Sequence, residues 1–165
     1  MKLQKILVPL DGSSLAEAAL GKAVELADSA GARLLLVRAT EARSIPGADP
    51  TEAQIKVVTE AEDYLAQVGD RLAALGVTNV ETSVWYGPAA YAIVEAARLH
   101  KVDLITMTTH GRSGLGRLIL GSVAESVLRG TTVPILVVRL AEAPVQPPEE
   151  KGAARLWEPT QAVRG

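Results

Sequence analysis

Sixteen consecutive residues carry the densest chemistry in the chain: Met107-Thr108-Thr109-His110-Gly111-Arg112-Ser113-Gly114-Leu115-Gly116-Arg117-Leu118-Ile119-Leu120-Gly121-Ser122. Glycines stand at 111, 114, 116 and 121, and Ser122-Val123-Ala124-Glu125 has the Ser-x-x-Glu spacing that predicts a helix start. A glycine-rich loop that runs into a helix N-terminus is an anion cradle. Glycine lets backbone N–H groups approach an oxyanion, and the helix dipole adds to the attraction. Charge agrees. From Thr109 to Arg139 stand Arg112, Arg117, Arg129 and Arg139 against Glu125 alone, +3 in a chain of net charge -2, so the remainder sums to -5. Arginine can grip phosphate bidentately. Turn glycines and solvated arginines are the bland alternative. They suit a stray glycine pair better than four glycines, a cap and a charge island together.

Other chemistries fit less well. No Gly-Lys-Ser/Thr ends the loop, no Gly-x-Gly-x-x-Gly opens the first helix, and Leu115 stands where a Gly-x-Ser-x-Gly elbow needs its second glycine. Ser13 or Ser113 with His110 and Asp11 can be written as a triad, but no motif orders it. His110 has two open readings: a donor to phosphate or sugar, or a brace on a loop carbonyl. His100, beside Lys101, suits a helix end. With 2 His and no Cys, a zinc site from those residue types alone is excluded, as are disulfides and thiolate nucleophiles. Asp11 is either a cap for a helix at Ser13–Ser14 or a functional carboxylate at a strand end. Arg38 reads as solvent-facing, and Met107 as a core residue compatible with a ligand contact.

Five strand-length apolar runs position these residues: Lys5–Leu10, Arg33–Ala39, Val80–Tyr86, Asp103–Thr108 and Thr132–Arg139. Helical segments separate them. The first runs from Ser13 to about Ala30, with a Ser14/Glu17 capping box, an inner face of Leu15, Ala19, Ala23 and Leu26, and Gly31 as its stop. The second opens at Asp49-Pro50-Thr51-Glu52 and runs to Leu75, buries Tyr64, Leu65, Val68 and Leu72, and leaves Glu52, Glu60, Glu62 and Asp63 in water. The third spans Gly87-Pro88 to His100, and the fourth ends at Gly130. Without a hairpin-length turn, successive strands are parallel and joined by right-handed crossovers. The expected fold is a doubly wound α/β sheet of five parallel strands, order 3-2-1-4-5, with helices on both faces. Val80–Tyr86 alternates as a half-exposed edge does. Val133–Val138 is apolar, and as an edge it needs a cover, most simply the same strand of a second copy.

The length of 165 residues suits one domain, read here as 1–140, with a Pro-rich tail over 141–165 anchored at most by Leu156 and Trp157. Near-neutral charge disfavours a duplex-DNA partner, and 3% aromatics disfavour a stacking platform for single strands. No targeting signal or membrane-length apolar run is visible, so the expected location is the cytoplasm.

The chain resembles the universal stress proteins. Lys-Ile-Leu-Val-Pro-Leu-Asp-Gly-Ser at 5–13, Gly87-Pro88-Ala89 with Ile93, Ala96 and Ala97, Asp103-Leu104-Ile105, Thr-His-Gly-Arg-Ser-Gly at 109–114, Gly121-Ser122-Val123-Ala124-Glu125 and Val133-Pro134-Ile135-Leu136-Val137-Val138 carry the likeness over about residues 2–140. The resemblance implies a Rossmann-like fold of the adenine nucleotide alpha hydrolase type. It also implies a stress-response regulator that binds ATP, with magnesium, and forms a homodimer through Val133–Val138. Hydrolysis would be slow at most. The ATP-binding pattern is Gly, two residues, Gly, nine residues, then Gly-Ser/Thr. Gly111 and Gly121-Ser122 fit it, and Thr108 replaces the first glycine. By position the resemblance places Pro9, Asp11, Ala39, Met107, Thr108, His110, Gly111, Arg112, Gly121, Ser122 and Val123 at the nucleotide, with Asp11 holding magnesium through the phosphates. A dimeric interaction protein that binds no nucleotide is the alternative, supported by Thr108.

Overall fold

Strand and helix alternate through the computed structural model, which describes residues 2–43, 46–47, 49–108 and 121–140. The elements are β1 (Lys5–Pro9), α1 (Ser14–Ala30), β2 (Arg33–Thr40), α2 (Pro50–Ala74), β3 (Val80–Tyr86), α3 (Ala89–Leu99), β4 (Leu104–Thr108), α4 (Ser122–Gly130) and β5 (Ile135–Val138). All strand pairs are parallel, and the sheet order is β3-β2-β1-β4-β5, as expected. The expected tail over 141–165 lies outside the described residues.

Strand periodicity splits the core in two. Ile6, Val8, Leu34 and Leu36 point to one face and pack on Ala19, Ala23, Ala27, Leu65, Val68 and Leu72 of α1 and α2. Leu7, Leu35, Val37, Ile105 and Met107 point to the other and pack on Ile93, Ala96, Ala97, Ala124 and Val127 of α3 and α4. The three central strands are thus covered on both sides, which explains why their apolar runs are continuous and not alternating. The buried stripe of α1 is all alanine. It is rotated slightly from the expected face, with Ala27 buried and Leu15 and Leu26 only half-buried. β3 is an edge strand as expected, but it is not half-exposed in a simple alternation. Val84 packs into the first core and Trp85 into the second.

Two expected capping boxes do not form. At α1 the cap is Ser13, whose hydroxyl accepts from the Ala16 N–H at 3.1 Å, and Ser14 is already helical. At α4 the cap is Gly121, with no side-chain hydrogen bond, and Ser122 is the first helical residue. α2 starts as expected: Asp49 accepts from the Thr51 N–H at 2.8 Å, and Pro50 follows.

Glu17 is drawn away from α1's N-terminus by a stronger contact. Its Oε1 accepts from the Tyr64 hydroxyl at 2.8 Å and from the Arg71 guanidinium at 2.9 Å, both on α2. That bracket ties α1 to α2. Arg71 hydrogen-bonded to it, with help from Tyr64 and against the opposing effect of partial burial, holds the Glu17 carboxyl below its usual pKa. Burial and the bond to Glu17 push the Tyr64 hydroxyl up. A carboxylate whose folded pKa lies below its unfolded value of about 4.3 contributes stability that is complete above that value. The contribution fades as pH falls through the folded pKa. Glu17→Gln is therefore expected to lower the urea midpoint at pH 7, with the gap to wild type narrowing as pH drops below about 4.3. Denaturation curves across that range check it, and a gap independent of pH would assign the effect to shape and not charge.

Candidate functional site

The sheet is not equally zipped along its width. β1 and β2 share five register pairs, Lys5↔Arg33 to Pro9↔Val37, whereas β1 and β4 share two, Ile6↔Leu104 and Leu7↔Ile105. Beyond Leu7 these two strands no longer pair, so the sheet opens between them toward its carboxyl edge. This is also where the strand order reverses, from β1 outward to β2 on one side and to β4 on the other. Ligands of open α/β sheets bind at such a switch point.

A cavity of about 150 Å³ occupies the opening. Pro9 and Asp11 line it from the end of β1, Ala39 from β2, Met107 and Thr108 from β4, and Gly121, Ser122 and Val123 from the start of α4. These are eight of the eleven residues expected from sequence, brought together from four separate segments. The other three, His110, Gly111 and Arg112, lie outside the described residues. Leu10, Val37, Ala89 and Ile93 also line the cavity, although the sequence did not assign them to the site. Val37 has a legible signal: it stands two residues before Ala39, so both side chains share a sheet face. Met107 belongs to the core and to the cavity wall at once, so its two readings are compatible.

Asp11, Ser13, Thr108 and Ser122 bring polar side chains to the cavity. Asp11 is the one titratable side chain among the described residues that line it. Its Oδ1 accepts from the Ser13 N–H at 2.9 Å, an Asx turn that starts α1, so the cap reading of Asp11 holds at least for one oxygen. The second oxygen has no hydrogen-bond partner among the described residues. At α4 the first bond within the helix is Glu125 N–H to the Gly121 carbonyl, at 2.9 Å. The N–H groups of Ser122, Val123 and Ala124 are thus without acceptors among the described residues, at a helix end that attracts negative charge. Gly121 has φ -51° and ψ 155°, a conformation open to any residue. Its glycine is not demanded by backbone strain. What it provides is the absence of a side chain at the cavity wall.

Arg38 is not solvent-facing as expected. It points to the α1–α2 side, its guanidinium 4.6 Å from the centre of the Tyr64 ring. It lies directly under the turn after β1, where a Cβ on Gly12 would meet its Nη2 at 3.5 Å. Gly12 adopts φ +87°, which favours glycine. The turn that carries Asp11 therefore rests on a stacked cation that is itself tied, through Tyr64, to the Glu17 bracket. No group of three or more His, Asp or Glu stands together among the described residues, so Asp11 could hold a metal only with oxygens from a ligand.

Comparison with known proteins gives the family and the fold. The chain is 33% identical over 141 residues to universal stress protein MJ0531 of Methanocaldococcus jannaschii, covering 82% of each sequence. Among solved structures, protein MJ0577 superposes with a TM-score of 0.72 at 29% identity, over 86% of this chain and 99% of that one. A universal stress protein crystallised in complex with cAMP superposes with a TM-score of 0.65 at 26% identity, over 84% and 98%. The universal stress protein family profile matches residues 2–139, and this chain belongs to that family.

Proposed function

We propose that the protein is an ATP-binding universal stress protein that takes the nucleotide with magnesium at the carboxyl-edge cleft and acts as a stress-response regulator or signalling module. The observation that carries this reading is the convergence of Pro9, Asp11, Ala39, Met107, Thr108, Gly121, Ser122 and Val123 on one cavity at the switch point. The relative crystallised with cAMP lends support for an adenine nucleotide.

The parts divide by chemistry. At about 150 Å³ the cavity is smaller than the ~300–1,000 Å³ of a whole small-molecule site, so it suits one ring system. Pro9, Val37 and Met107 give that ring an apolar bed, and the Ala39 backbone supplies its polar contact. The phosphates then run to the free N–H groups of Ser122 and Val123, with His110, Gly111 and Arg112 of the glycine loop completing the cradle. Asp11 with its spare oxygen would hold magnesium, which neutralises phosphate charge when bound. With Asp11 so engaged, no other general base lines the cavity among the described residues, which supports slow hydrolysis at most.

Thr108 favours a second reading. It lines the cavity half-buried, where the nucleotide-binding pattern has glycine, and a side chain there crowds a ligand. On that reading the protein is a dimeric interaction module without a nucleotide. Calorimetric titration with magnesium-ATP, after bound nucleotide is stripped, separates the two. ATP binding predicts saturation at one nucleotide per chain, and Gly121→Val is expected to weaken it at least tenfold, about 1.4 kcal/mol, by placing a branched side chain at the wall. No binding by wild type, with Gly121→Val indistinguishable from it, would replace the first reading by the second.

Both readings include a homodimer through Val133–Val138. The supporting observation is that β5 ends the sheet with Ile135, Leu136 and Val138 half-buried and Val137 38% exposed. An apolar edge of this kind invites pairing. Val137→Lys is expected to shift sedimentation toward the monomer mass without loss of fold, and an unchanged sedimentation profile would place any self-association elsewhere.

A further inference from the structure

The opposite pole of the sheet holds a second cavity, of about 480 Å³, at the amino ends of β1 and β2 and the carboxyl ends of α1 and α3. Its character is different. Lys2, Lys5, Arg33 and Lys101 line it, four of the 17 lysines and arginines, together with His100 and Asn79, while none of the 19 carboxylates does. Two carboxylates stand close by and are already engaged. Glu81 is shared by Lys5 at 2.9 Å and Arg33 at 3.0 Å, and Asp103 accepts the N–H groups of Gln4 and Lys5. Lys2 and Lys101 have no such partner among the described residues.

Lys101 is the informative residue. It has φ +52°, the one non-glycine among the described residues with positive φ. Two other helix ends at this pole place glycine in that conformation, Gly31 at φ +64° after α1 and Gly76 at φ +87° after α2, whereas α4 ends on Thr131 in an extended conformation. A lysine at the end of α3 is therefore held in a strained backbone where glycine would be relaxed. Arg98 also stands in the last turn of α3, where it pairs with Glu95 at 2.7 Å. The carboxyl ends of α1 and α3 add about half a negative charge each, less than the two unpartnered lysines supply. A cavity with spare cations, amide donors and strain at the residue that provides one of them is built for an anion.

We infer that this pole binds a small polyanion carrying two or more phosphate groups, at a site separate from the carboxyl-edge cleft. The probe is inorganic pyrophosphate, titrated by calorimetry in metal-free, low-salt buffer against wild type, Lys101→Gly, Arg33→Gln and Gly121→Val. Wild type is expected to bind saturably, and more weakly as salt is added. Lys101→Gly should weaken binding about three- to fivefold, the scale of one partly exposed charge contact. Its thermal midpoint should hold or rise, because glycine relaxes the left-handed position, so lost folding cannot account for the loss of affinity. Arg33→Gln should weaken binding by a similar factor, while Gly121→Val binds like wild type. Three results overturn the inference: no saturable binding, unchanged affinity in both Lys101→Gly and Arg33→Gln, or affinity lost in Gly121→Val and kept in Lys101→Gly. The last would assign pyrophosphate to the carboxyl-edge cleft.

Discussion

The structure depends on the short pairing of β1 with β4. Every strand runs the same way, so every connection must cross a face of the sheet, and all strand carboxyl ends gather at one edge. Most neighbours zip extensively: seven register pairs join β2 to β3 and four join β4 to β5. β1 and β4 are held by two, reinforced at the amino end by the Asp103 carboxylate on the N–H groups of Gln4 and Lys5. The seam is thus pinned at one end and open at the other. The open end becomes the cleft, and α1 and α4 start on either side of it. Thr106 of β4, fully buried, carries a hydroxyl without a hydrogen-bond partner among the described residues, a local cost of burying a polar group.

Much of this was legible in the sequence because it depends on local pattern. Continuous apolar runs marked the doubly covered strands, and glycines 31 and 76 marked helix ends at positive φ. The absence of hairpin turns forced parallel pairing. The site residues were legible for a related reason: at a switch point, the residues that follow strands β1, β2 and β4 have little choice but to meet. What was illegible depends on contacts distant in sequence. Ser14 and Glu17 have capping-box spacing, yet Tyr64 and Arg71, 47 and 54 residues away, claim the carboxylate. Arg38 looks solvated by its type and position, and only the arrival of α2 puts an aromatic ring beneath it. The Ser122–Glu125 spacing misled for a local reason, since Glu125 pairs with Arg129 one turn on in its own helix and the cap is left bare.

That bare cap bears on function. α1 and α2 satisfy early N–H groups with Ser13 and Asp49, and α4 does not. Unsatisfied donors cost free energy unless water or a ligand meets them, and these line a partly apolar cavity. An oxyanion is the partner that answers both the donors and the dipole. Gly121 keeps the approach clear, whereas Thr108 narrows it from the neighbouring strand. The balance between nucleotide and empty cleft therefore turns on whether the Thr108 hydroxyl can act as a donor to the ligand where its methyl group would otherwise crowd it.

The two poles of the sheet illustrate one electrostatic rule from opposite directions. In a parallel α/β fold the helix N-termini face the carboxyl edge, so an anion there can be held by backbone alone. Among the described residues, the cavity at that edge accordingly has Asp11 as its one titratable side chain. At the amino edge the helices present carbonyls, and the backbone repels an anion. Affinity there has to come from side chains numerous enough to outweigh the helix ends, and four lysines and arginines concentrate at that cavity in a chain of net charge -2. The same dipoles that favour an anion at one pole oppose it at the other, so the proposed site there has to draw on side chains such as Lys101, whose backbone sits at φ +52°.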